Sequence, residues 1–154
     1  MIQTRRLGSR RTGSIYDRVA MIEPGRALLI DLDGVLYVEE EPVKGAVDAI
    51  ARLRERHLAL RFVTNTTAHS RARTLAKLSR LGFAVSDPEL VTPAGLAVRY
   101  CRDRGYRRVA LVMNDEVKRD FADLEETVDG AQAAIVGDLG QRSDTTSSIR
   151  PSAP

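Results

Sequence analysis

The stretch ALLIDLDGVLY (residues 27 to 37) runs an apolar segment into two carboxylates one residue apart, Asp31 and Asp33, and then into Gly34. Like charges this close repel, and partial burial raises the cost of ionising each, so the pair calls for a positive charge beside it. A divalent cation with hard oxygen ligands would supply that charge. Mg²⁺, which keeps several of its waters, suits so sparse a set, with Asp31 and Asp33 as the metal candidates. With phosphate charge offset in this way, one carboxylate can attack phosphorus and form an acyl phosphate that water then hydrolyses. The other can protonate the leaving oxygen and later activate the water. Gly34 lets the backbone turn tightly and approach a phosphate. A second polar cluster, Thr64, Asn65 and Thr66, closes the run LALRFVTNT, and its hydroxyl and amide groups can donate hydrogen bonds to phosphoryl oxygens.

A chance D-x-D-G is expected in roughly four of a hundred chains of this length, so the motif gains its weight from the elements around it. Strands are predicted near residues 27 to 31, 58 to 64, 108 to 113 and 133 to 137, each a short apolar run of the kind buried in a parallel sheet. Between them, residues 43 to 57 place Val43, Val47, Ile50, Ala51 and Leu53 at helical spacing. Residues 70 to 82 carry the stripe Leu75, Leu78 and Leu81 and stop at Gly82. A third helix is predicted over 93 to 105, opened by Pro93 and closed by Gly105, and a fourth over 116 to 126. This alternation predicts an α/β fold, a Rossmann-like parallel sheet with flanking helices. In such sheets ligands bind beyond the carboxyl ends of the strands, where both polar clusters fall, so Asp31 and Thr64 are expected to converge on one crevice.

Composition limits the alternatives. The chain has 154 residues, of which 43% are hydrophobic and 29% charged, as in ordinary soluble domains. No apolar run approaches the roughly 20 residues that span a bilayer, and the single Cys101 cannot form an internal disulfide, so a cytoplasmic setting is expected. The net charge of +3 is concentrated in residues 1 to 20, which hold five arginines against Asp17; the remainder is near neutral, and no nucleic-acid or membrane partner is expected. Residues 1 to 20 read as a disordered basic extension. Residues 141 to 154, polar and without periodicity, read as a disordered tail.

The segments LLIDLDGVLY and LRFVTNTT resemble the first and second motifs of the haloacid dehalogenase superfamily of phosphatases, and PVKGAVDAIARLRE with the Thr-Asn pair is similar to its class IIA branch. The likeness covers about residues 26 to 140. It implies that Asp31 is the nucleophile and a Mg²⁺ ligand. Asp33 would be the acid/base, binding the ion through its backbone carbonyl, and Thr64 and Asn65 would hold the phosphoryl group of a small phosphorylated substrate. The resemblance also implies a later lysine and later acidic residues beyond a cap domain that starts after the second motif. The family-like pattern stops near IVGDLG (135 to 140), and Lys118 comes before the cap is complete. The expectation is therefore a partial domain over 26 to 140, core plus the start of a cap, C-terminally truncated and impaired in turnover.

Other residues are read more plainly. Cys101 shares a helical stripe with Leu96, Ala97 and Tyr100 and is expected in the core. His57 is expected in a solvated loop, His69 near enough to the Thr-Asn loop to be weighed as a phosphate contact, and Glu39, Glu40 and Glu41 in an exposed loop. Tyr37 is left open between packing and gating. Two other readings stand beside the phosphatase. One is a non-catalytic fragment that binds a full-length relative, with homo-oligomerisation left open; the other is a receiver-like module with Asp115 as phospho-acceptor.

Overall fold

The computed structural model describes residues 27–140; the basic extension and the polar tail expected to be disordered lie outside the described residues. Strand β1 (Ala27–Asp31) pairs in parallel with β4 (Ala59–Val63), and β4 with the short β5 (Leu90–Val91), so the order in this sheet is β1-β4-β5. Between β1 and β4 the chain forms a tight hairpin, β2 (Tyr37–Val38) and β3 (Glu41–Pro42), turning at Glu39 and Glu40. Helix α1 (Ala46–Glu55) comes next, and α2 (Arg71–Arg80) comes after β4. Apolar spacing accounts for both helices, and a side-chain cap for the second. Ile50 of α1 and Leu78 of α2 are buried, and Ser70 caps α2 by accepting the Arg73 N–H at 3.2 Å. These elements enclose one core of Leu32, Leu36, Leu60, Phe62, Leu78 and Phe83.

A second parallel sheet, with order β7-β6-β8, is built from β6 (Arg108–Val112), β7 (Glu125–Glu126) and β8 (Ala133–Val136). Helix α3 (Pro93–Asp103) leads into it, with Pro93 in its first turn and Thr92 accepting the Gly95 N–H at 3.1 Å. Its core holds Val98, Cys101, Val109, Met113 and Phe121. The α/β reading with parallel strands and flanking helices holds, and the four expected strands lie within a residue or so of their predicted ends. The strands are divided between two three-stranded sheets rather than joined in one, because pairing is a long-range choice that local periodicity does not encode.

Two local expectations are corrected. The helix expected over 116 to 126 is a single turn, α4 (Asp115–Lys118), then a 3-10 turn at Arg119–Phe121 and then β7. Val117, Phe121 and Leu124 have helical spacing and are all buried, but the Glu125 N–H donates to the Arg107 carbonyl at 2.8 Å and draws the chain into the sheet. On α3, Cys101 is buried as expected while Leu96 and Tyr100 of the same stripe are 56% and 52% exposed; the helix packs through Val98 and Cys101. In β1, the side chains of Leu28 and Ile30 pack on the core and Leu29 is 73% exposed on the opposite face. Among the described residues β1 has one hydrogen-bonded neighbour.

Candidate active site

The register of β1 and β4 fixes the site. Asp31 pairs with Val63, one residue before Thr64, so the loops carrying Asp31–Gly34 and Thr64–Thr66 leave the same edge of the same sheet on adjacent strands. After Asp31 the chain makes a tight helical turn: Leu36 N–H donates to the Leu32 carbonyl at 2.8 Å, and Gly34 N–H to the Tyr37 carbonyl at 2.8 Å. Gly34 sits at φ 76°, in the left-handed region where a side chain is strained, which accounts for the glycine in D-x-D-G. Leu32 is fully buried and anchors the turn, while Asp31 and Asp33 are exposed on either side of it.

The second loop is held from within. Thr64 is buried, and its Oγ1 accepts the Thr66 N–H at 3.2 Å, which leaves the Thr64 hydroxyl proton free to be donated outward. Thr66 Oγ1 in turn accepts the Ala68 N–H at 3.3 Å. Thr64 N–H donates to the Val91 carbonyl at 3.1 Å, tying the loop to β5. Asn65 is exposed at the tip.

The second sheet supports this loop from behind. Asn114, at the end of β6, donates from Nδ2 to the Ala68 carbonyl at 3.1 Å, and Asp138 N–H donates to Thr67 Oγ1 at 3.1 Å. Glu116 accepts the Ser70 N–H at 2.9 Å and pairs with Arg73 at 2.9 Å, and Asp120 accepts the Arg71 N–H at 2.8 Å. The start of α2 is thus capped by two acids from the other sheet's connection. The Ser70 N–H bond, more than the Arg73 charge, holds the Glu116 carboxyl below its ordinary range, while burial pushes Asp120 up. Sequence reading missed Thr67, Asn114 and these acids. A polar residue directly after a strand, as at Asn114, was the available signal.

As a donor set, two carboxylates at one strand end fit a hard dication that retains water, with the remaining ligands from solvent and substrate. Among the described residues no group of three His, Cys, Asp or Glu side chains gathers there. His69 is exposed and lines two cavities beside Thr66, one of about 140 Å³ with Met113, Val117 and Phe121, the other of about 170 Å³ with Tyr37 and Lys77; Asp31 and Asp33 line neither. Tyr37 packs, at 7% exposure. Burial first, then the charges of Asp33 and Asp31, push its phenol up. His57 is exposed, at φ 56° after α1. Lys118 pairs with Glu126 at 2.6 Å, in the second sheet's connection. Asp115 is almost fully exposed at the start of α4, after β6, whose sheet is not the one that carries the acidic pair, which removes the receiver-like arrangement of acids at one sheet edge.

A parallel α/β core with an acidic pair after its first strand and a Thr-Asn loop after the neighbouring one defines a class of hydrolases. The family model for haloacid dehalogenase-like hydrolases matches residues 28–126, and this chain belongs to that family. It is 35% identical over 121 residues to phospholysine phosphohistidine inorganic pyrophosphate phosphatase of Xenopus laevis, covering 75% of this chain and 44% of that protein. It is 37% identical over 100 residues to human haloacid dehalogenase-like hydrolase domain-containing protein 2, covering 65% of this chain and 38% of that one. Among solved structures, a Mycobacterium tuberculosis glycerol phosphate phosphatase in complex with magnesium superposes with a TM-score of 0.62 at 29% identity, covering 72% of this chain and 35% of that chain. NagD from E. coli K-12 shares the fold, with a TM-score of 0.65 at 21% identity over 75% of this chain and 46% of its own. The chain thus spans less than half the length of these relatives. Among the described residues no helix is long and apolar enough to cross a membrane.

Proposed function

We propose that the chain carries the phosphoryl-transfer half of a Mg²⁺-dependent phosphatase acting on a small phosphorylated substrate. The observation that carries this reading is the in-register parallel pairing of β1 with β4, which brings Asp31 and the Thr64 loop to one edge. Asp31 attacks phosphorus, and the ester bond to the leaving oxygen breaks as the acyl-phosphate bond forms. Asp33 protonates that oxygen, then takes a proton from the water that hydrolyses the acyl phosphate and restores Asp31. Thr64 and Asn65 donate to the phosphoryl oxygens, and the turn at Gly34 and the backbone at Thr66 shape the cradle around them. Mg²⁺, held by the Asp31 carboxylate and the Asp33 carbonyl, would neutralise phosphate charge.

The named activities of the relatives, phosphatases in both the curated and the solved sets, support the same reading. Asp31 and Asp33 are the two exposed acids of the β1 turn, and losing one charge-stabilising group commonly costs about 10² to 10³ in rate. Asp31 is therefore expected to accept phosphate, and neutralising either acid to lower turnover by about that factor. The test is reaction with a labelled acyl phosphate in Mg²⁺ and then peptide mapping: label on Asp31, lost in Asp31→Asn, is the expected result. Label elsewhere would overturn the assignment, and a Mg²⁺-dependent rate that survives Asp31→Asn would overturn Asp31 as the nucleophile. A second reading, a non-catalytic fragment or partner of a longer relative, draws on the single hydrogen-bonded neighbour of β1 among the described residues.

A further inference from the structure

Between the β2–β3 turn and the outer face of α2 lies a cleft of about 170 Å³, with Thr66 of the phosphate loop, Tyr37 and His69 on one side. The other side is cationic: Arg73, Lys77 and Arg80 project from successive turns of α2. The Lys77 ammonium lies over the Tyr37 ring, 4.2 Å from its centroid, which holds that charge at the wall of the cleft. Arg73 is already paired with Glu116 at 2.9 Å, which leaves Lys77 and Arg80, and one anionic group lines the cleft beside them. The Glu40 carboxylate, carried on the hairpin turn, bonds Arg80 and sits 3.4 Å from the Lys77 ammonium. Arg80 and Lys77 together hold the Glu40 carboxyl below its ordinary range, as they would any carboxylate or phosphate oxygen pair placed there.

Two features make Glu40 a replaceable occupant. Its side chain is 67% exposed, as is most of Arg80, and ion pairs of that exposure contribute little to stability. It also sits in a two-residue turn next to Glu39, which is held at φ 52°, so the turn is a strained one for its residues. Release of Glu40 would leave two cations, Lys77 and Arg80, facing a cleft that Thr66 of the phosphate loop also lines, while Arg73 stays paired with Glu116.

We propose that this cleft is a subsite for a second anionic group of the substrate, a phosphate or a carboxylate, which displaces Glu40 from Lys77 and Arg80. The proposal rests on the phosphatase reading and deepens it: the preferred substrate is a phosphoester bearing a further anionic group on a spacer, and the β2–β3 turn reports its arrival. Guanidinium and ammonium side by side suit the several oxygens of such a group, the former by paired N–H donors and the latter as a point charge.

The experiment is calorimetric titration of the full chain, at fixed free Mg²⁺, with alkane bisphosphonates of increasing spacer length, the matching phosphonocarboxylates, and the monophosphonates of equal length. One spacer should bind at least about fivefold more tightly than its monophosphonate, the scale of one partly screened ion pair. Lys77→Gln with Arg80→Gln should remove that advantage and leave monophosphonate affinity unchanged, which also shows that the variant is folded. Glu40→Gln should enlarge the advantage, an effect that a merely structural Glu40 would not produce. Whether the bisphosphonate or the phosphonocarboxylate gains more identifies the second group. Monophosphonate binding without any bisphosphonate advantage, or an advantage that survives loss of both cations, overturns the subsite alone. Absence of all monophosphonate binding overturns the phosphatase reading and the subsite with it.

Discussion

The two sheets are built alike and used differently. Each has three parallel strands and a compact apolar core, yet the first ends in Asp31, Thr64 and Asn65, while the second ends in Asn114 and Asp138, whose hydrogen bonds run back to the loop of the first. One region presents the candidate site residues and the other holds the loop that carries part of them. The difference lies in the residues at the strand ends: an exposed acidic turn after β1, a polar residue that caps α4 and ties down Ala68 after β6. The proposed chemistry is carried by one sheet and positioned by both.

Three perturbations would break or sharpen that contrast. The largest is truncation of each core in turn. Phe62→Ala and Phe121→Ala each remove a fully buried ring and should each cost about 3 to 5 kcal/mol in chemical denaturation. If the sheets act as one unit, both variants shift a single transition; two separated transitions would show that the second sheet does not support the first. A smaller loss is expected for Asn114→Ala, which removes the α4 cap and the bond to Ala68 together, about 1 to 2 kcal/mol. Its signature is weaker phosphonate affinity, measured by calorimetry, although Asn114 lies in the other sheet; unchanged affinity would deny it a positioning role.

The smallest effect is in pH. Arg54 pairs with Glu89 at 2.7 Å across the first core, and that bond, helped by Ser86, holds Glu89 at about 2, against 4.5 for a free glutamate. A carboxylate lowered on folding adds stability that is complete above 4.5 and is lost as pH falls toward 2. With the Arg54 side chain 35% exposed, the loss is expected at about 1 kcal/mol or less. Urea titrations between pH 6 and pH 2 should show it in the wild type and not in Glu89→Gln.

Much of this is legible in the sequence. Strand ends at Asp31 and Val63 come from apolar runs closed by polar residues, and placing both loops at one edge comes from the βαβ alternation. Glu39, Glu40 and Glu41 read as an exposed loop, and the hairpin around them goes undetected because strands of two residues carry no period. Val117, Phe121 and Leu124 mimic a helix because burial alone, in any conformation, imposes apolar residues at intervals of three and four. The cationic cleft is invisible for a different reason. Glu40 and Arg80 are forty residues apart, and only the fold brings the hairpin turn against α2.

The position of β1 carries a further consequence, one of solubility. Within the described residues it is an edge strand with an apolar side chain, Leu29, standing out from its open face. Unpaired strand edges of this kind template pairing between chains and seed aggregation. Within the described residues, the segment that ends in Asp31 is thus also the one with an open edge, so that the placing of the acidic pair and the tendency to pair with another strand fall to the same five residues.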